Sequence, residues 1–206
     1  MHLFKYSIMT GRLSVSHEQS QVYLSFAVAR KSSNEIQGFL VMLPRGIRNH
    51  NPLNIRRSKD QWKGMAEVQT DRALTDGRLC SGSADSKQAS VCTRYDAEFV
   101  QFKSLEYGWR AAFYLLTRTY YHKYRLYTIR GIVSKWAPSS ENNTSAYIAN
   151  VSRLTGIDPD EPIGIPSEKP SRWMMVGVAM AIQENGTTSI DWFAMLRGWE
   201  MARSEV

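Results

Sequence analysis

The residues best equipped for chemistry crowd into one stretch, RGIRNHNPLNIRR at positions 45–57, where four arginines, three asparagines and one histidine share thirteen places. Ile47, Leu53 and Ile55 are its substantial hydrophobes. Asparagine amides donate and accept at once, which suits the hydroxyl and acetamido groups of sugars. Arginine forks bind carboxylates or phosphates through two parallel hydrogen bonds. On this reading Arg48, Asn49, Asn51, Asn54 and Arg56 are candidate ligand-binding groups. The competing use is architectural. Asparagine favours turns because its side chain mimics backbone hydrogen bonding, and Pro52 marks a turn leading into an extended piece.

Such a turn must be held by the elements around it. Leu53 and Ile55 alternate as a short strand would, with Asn54 and Arg56 on its other side. QWKGM and EFVQF read as two further strands, and between them a Ser-, Gly- and Asp-rich stretch predicts a flexible insertion at about 71–95. After Phe102 the period becomes helical. Ser104 is a fair N-cap, Glu106 lies in the first turn, and Trp109, Ala112, Phe113, Leu116 and Tyr120 share one face. Thr128 caps IRGIVSKWA, which Pro138 ends. Asn143 or Thr144 opens SAYIANVSRLTG, which Gly156 closes. Beyond the proline-punctuated connector DPDEPIGIPSEKP, SRWMMVGVAMAIQENG reads as an apolar helix stopped by Gly186, and SIDWFAMLRGWEMARS as a final amphipathic helix. The expected class is mainly α (α+β): helices with a small β lobe, over residues 42–206. Residues 1–41 read as a poorly defined N-terminal extension, with Met42 as the expected initiator.

Composition narrows the partners. A hydrophobic share of 43% with 11% aromatics is enough for a packed core, and a net charge of +7 points to an anionic partner or to a solubilising surface. Nucleic acid and acidic wall polymer are the two anionic classes, the former served by Arg45, Arg48, Arg56 and Arg57. No run is long enough to cross a bilayer, and the first residues lack the apolar stretch of a signal peptide. Cys80 and Cys92 share one polar loop with spacing wrong for zinc; a loop-closing disulfide and two free thiols both remain open. The four histidines have no metal-ligand spacing, and Asp158, Asp160 and Glu161 lack the rhythm of a calcium loop. No phosphate-binding, dinucleotide or nucleophile-elbow fingerprint is present, so no cofactor and no metal is expected.

Three blocks in order, RGIRNHNPLNIRRSKDQWKGM, EFVQFKSLEYGWRA and WAPSSENNTSAYIANV, resemble a family of small phage and prophage proteins often labelled structural or virion proteins. That family's signature is close to R-G-I-R-N-N-N-P-G-N-I-R; here His50 replaces an asparagine and Leu53 the usual glycine. The same blocks are similar, more distantly, to lysozyme-like peptidoglycan hydrolases of the glucosaminidase or transglycosylase type. The resemblance implies a lysozyme-like fold with a glycan cleft between the β lobe and the helices. It also implies partners: peptidoglycan glycan strands, and possible contacts with other virion proteins. The location it implies is the host cytoplasm or the virion, with action at the cell wall after release.

Glycosidic cleavage needs a carboxylic acid held neutral and often a second carboxylate. Glu106 and Glu141, both inside matched blocks, are the candidate catalytic pair; helix-dipole compensation and local capping are their architectural alternatives. Trp62, Trp136 and Tyr147 would offer stacking faces, and Asn142 and Asn143 further amides. The leading expectation is a protein that binds peptidoglycan and cleaves its glycan strands. The alternative is a non-catalytic virion protein that keeps the fold, and nucleic-acid binding is the third candidate. No helix ending in an acid precedes the asparagine turn, which favours the alternative.

Overall fold

A computed structural model of the chain describes residues 43–66, 78–81, 91–94, 96–140 and 142–204, with the backbone alone at 78–81 and 91–94. The described residues belong to a single compact unit, Leu40–Val206. The expected extension over 1–41, the initiator Met42 and most of the insertion lie outside the described residues.

The elements are α1 (Arg45–Arg48), β1 (Arg78–Ser81), β2 (Val91–Arg94), α2 (Leu105–Tyr114), a π-helical segment (Leu115–Lys123), α3 (Ile129–Trp136), α4 (Thr144–Thr155), α5 (Pro170–Asn185) and α6 (Trp192–Arg203). Their ends follow local chemistry. Thr128 accepts the Gly131 N–H at 3.1 Å to start α3, and Asn143 accepts that of Ala146 at 3.1 Å to start α4. Asp191 caps α6 through the Ala194 N–H at 3.0 Å. Gly156 and Gly186 close α4 and α5 in the left-handed region, at φ of 70° and 62°.

The core is aromatic at its centre. Trp109 stacks on Phe113 of the same helix (centroids 5.4 Å apart), and Phe113 meets Trp199 of α6 edge to face at 5.1 Å. Trp109, Phe113 and Trp173 are fully or almost fully buried, each worth roughly 2–3 kcal/mol by area. Gly198 makes the approach of α6 to α2 possible. A Cβ there would meet Trp109 and stand 2.8 Å from the Arg110 backbone nitrogen.

The expected lysozyme-like fold with a small β lobe is overturned. Among the described residues the only ladder is the two-stranded hairpin of β1 and β2, inside the predicted insertion, with Cys80 paired in register to Cys92. The three stretches read as strands make single bridges, Arg56 to Phe99 and Met65 to Phe102, and no sheet. Leu53 and Ile55 are buried as alternation requires, but the backbone between them is not extended, because Asn54 has a φ of 52°. Two buried residues at a spacing of two cannot by themselves separate a strand from a pinned loop.

Candidate functional site

The polar signature forms a turn that is clamped on two sides. On the first side stands Asp96, a buried carboxylate. Arg45 grips it with two hydrogen bonds, Nε to Oδ2 at 2.7 Å and Nη2 to Oδ1 at 3.0 Å. Asn49 Nδ2 donates to Oδ2 at 2.8 Å, and the backbone N–H groups of Glu98 and Phe99 donate to Oδ1 at 3.1 and 3.0 Å. All of these favour the ionised form. Burial opposes them and is the largest single influence, yet the guanidinium, the amide and the N–H groups together hold the Asp96 carboxyl down at about 2. Arg45 is shared with Glu98 at 3.0 Å and lies over the Phe99 ring, 4.2 Å from its centre.

Asn51 closes the turn itself. Its Oδ1 accepts the Ile55 N–H at 2.8 Å, and its Nδ2 donates to the carbonyls of Ile55 and Val100 at 3.0 and 2.9 Å. The ring Nδ1 of His50 lies 3.1 Å from the Phe102 carbonyl, a contact that needs the proton on Nδ1. Gly108 completes the fit, since a Cβ there would collide with the His50 carbonyl.

On the second side the turn meets the C-terminal end of α5. Asn185 Nδ2 donates to the Pro52 carbonyl at 2.8 Å. Beside it Glu184, half-buried, collects donors from three separate parts of the chain. Trp136 Nε1 donates to its Oε1 at 2.8 Å, the Tyr147 hydroxyl to the same oxygen at 3.0 Å, and Asn54 Nδ2 to Oε2 at 3.1 Å. Burial, then the Glu184 charge, push the Tyr147 hydroxyl well above the ordinary phenol range. Tyr120 stands edge-on to Trp136 at 6.5 Å, and burial raises its hydroxyl to about 12.

Of the residues singled out from the sequence, Asn54, Trp136 and Tyr147 thus meet on one carboxylate that is not among them. Glu184 does carry a signal: an acid in the last turn of a helix opposes the helix dipole and needs donors to hold it. Asp96 is a second residue that sequence reasoning misses, although an aspartate whose side chain reaches the N–H groups two and three residues on is a recognisable turn former. Glu106 is half-buried in the first turn of α2. Glu141 lies outside the described residues. Arg48 is half-buried on α1, while Arg56 is exposed with its guanidinium 5.2 Å from the Phe99 ring centre. Trp62 packs edge-on to Tyr114 at 6.2 Å, its indole N–H enclosed without an acceptor. Asn142 and Asn143 are exposed, the latter as the α4 cap. A hollow of about 40 Å³ between Gly46, Pro52, Trp109 and Asn185 holds water-sized volume, far short of a ligand pocket. No cluster of metal-ligating side chains occurs among the described residues.

Fold and site together define a small helical protein whose polar signature is knitted to two carboxylates, Asp96 and Glu184. No family model matches the chain. It is 32% identical over 159 residues to Protein P5 of Pseudoalteromonas phage PM2, an alignment covering 76% of this chain and 80% of that protein. The chain belongs to the family of that phage protein. Among the described residues no helix is long and apolar enough to cross a membrane.

Proposed function

We propose that the protein is a non-catalytic structural component of a phage or related mobile element. One observation carries this reading: Arg45, Asn49, Asn51 and Asn54 end on internal groups, namely Asp96, backbone carbonyls and Glu184. Polar side chains bonded inward set the geometry of the fold and are not offered to a sugar chain. Kinship with a phage protein supports the phage association, not the choice of role. In this reading the chain stays with the particle, among other virion proteins.

A second reading, binding and cleavage of peptidoglycan glycan strands, is favoured by the Glu184 cluster alone. A half-buried carboxylate ringed by Trp136, Tyr147 and Asn54 has the composition of a sugar site. Its oxygens already accept from the Trp136 indole, the Tyr147 hydroxyl and the Asn54 amide, so a sugar hydroxyl would have to share them. Purified sacculi separate the two readings. The structural role predicts no loss of turbidity, no new reducing ends, and co-sedimentation of the protein with particles. Reducing ends released by the wild type and abolished in a folded Glu184→Gln variant would reverse the order.

A further inference from the structure

We infer that the exposed cationic surface running from the end of the π-helical segment to α3 docks on the phosphate backbone of a nucleic acid. From Tyr107 to Ser140 the chain contains no aspartate or glutamate, yet it carries Arg110, Arg118, Lys123, Arg125, Arg130 and Lys135. Arg110 is buried, and Arg130 is neutralised by Asp160 through bonds of 2.6 and 2.7 Å. Lys123, Arg125 and Lys135 are exposed, and no carboxylate among the described residues lies within ion-pair distance of them. Two of these charges are gathered round one ring. The ammonium groups of Lys123 and Lys135 lie 5.7 and 5.3 Å from the centre of Tyr124. Exposed cations without a carboxylate partner leave a local positive potential that an incoming polyanion lowers.

The surface is also held in place. Nine residues, Leu115–Lys123, wind as a π-helix, an uncommon form often found at functional positions. The Tyr124 N–H closes it on the Thr119 carbonyl, and the Leu126 N–H reaches the Tyr120 carbonyl, both at 2.9 Å. Between them Arg125 sits at a φ of 55°, a left-handed conformation that a non-glycine side chain adopts only when its surroundings fix it. Tyr124 and Tyr127, 45% and 43% exposed, lean on Tyr120 and Tyr121 at 6.0 and 5.1 Å. They form an apolar platform beneath the cations.

The shape of the patch selects the partner. It is open, and two of its three charges are compact ammonium groups, which bind phosphates as point charges. Ammonium groups lie over Tyr124, so its ring is a poor stacking face for a sugar. A polymer of regularly spaced phosphates needs no pocket and is bound by such point charges.

The test is fluorescence anisotropy of a short labelled DNA duplex at graded salt. It compares wild type, the triple variant K123Q/R125Q/K135Q and the control Arg203→Gln, whose guanidinium pairs with Glu200 on α6. For the wild type log K should fall linearly with log salt. The triple variant should bind at least tenfold more weakly at low salt, with a slope shallower by about 2–3, near 0.9 for each phosphate that is no longer neutralised. The control should match the wild type. If the triple variant misfolds, each single variant should still lower the slope by about 0.9. No duplex binding by the wild type at low salt, or a slope untouched by the substitutions, would overturn the inference. So would substitutions that cost binding to purified sacculi but not to duplex. None of these outcomes depends on whether Glu184 acts on glycans.

Discussion

Two cationic regions of this molecule face opposite fates. In the turn at 45–57, Arg45 lies between two carboxylates and over an aromatic ring, and the asparagines beside it are bonded to Asp96, to the backbone and to Glu184. In the stretch at 118–135, Lys123, Arg125 and Lys135 reach solvent with no carboxylate of the described chain in range. Both regions are cationic; Arg45 is gathered onto buried Asp96, and no carboxylate among the described residues stands within ion-pair range of Lys123, Arg125 or Lys135. A buried acid converts a cationic motif into a fold clamp, whereas its absence leaves the charge available to a partner. The contrast warns against assigning ligand contacts from side-chain type alone.

The contrast can be attacked where it should be strongest. Replacing Asp96 by alanine leaves the Arg45 fork, the Asn49 amide and two N–H groups without their acceptor. The expected loss is about 3 kcal/mol, read as a lower denaturant midpoint with an unchanged slope. Gly198→Ala, which forces a Cβ against Trp109 and the Arg110 nitrogen, should cost about 2–3 kcal/mol by overpacking. Glu184→Gln keeps the shape but removes the charge that Trp136, Tyr147 and Asn54 hold, for about 1–2 kcal/mol. At the far end, Arg130→Gln breaks an ion pair that is exposed on both sides, and the thermal midpoint should not move measurably. The reverse order, with Arg130 mattering more than Asp96, would erase the distinction between the two regions.

Much of the helical frame is legible in the sequence because its signals are local. The caps Thr128 and Asn143 and the stops Gly156 and Gly186 act within one turn of their own positions. The expected β lobe fails because alternation at Leu53 and Ile55 reports burial, not backbone extension. The π-helical register is likewise invisible, since Leu116 and Tyr120 keep helical spacing in either form. The site is harder still. Asn54 and Glu184 are 130 positions apart, and Arg45 and Asp96 are 51 apart. Residue type marks Asn54, Trp136 and Tyr147 as unusual, but only the packing of α3, α4 and α5 reveals the acid they share.

The central claim is that the signature is a folding device anchored on Asp96, and acid unfolding addresses it most directly. The Asp96 carboxyl titrates at about 2 in the folded chain against an ordinary value of 3.8. Its contribution, on the order of 2 kcal/mol, is therefore fully present above about pH 4 and lost as pH falls towards 2. Stability measured by denaturant unfolding from pH 6 to pH 2 should fall more steeply below pH 4 for the wild type than for Asp96→Asn, with the two curves converging at the acid end. Parallel curves, or an Asp96→Asn chain as stable as the wild type at pH 6, would contradict the account.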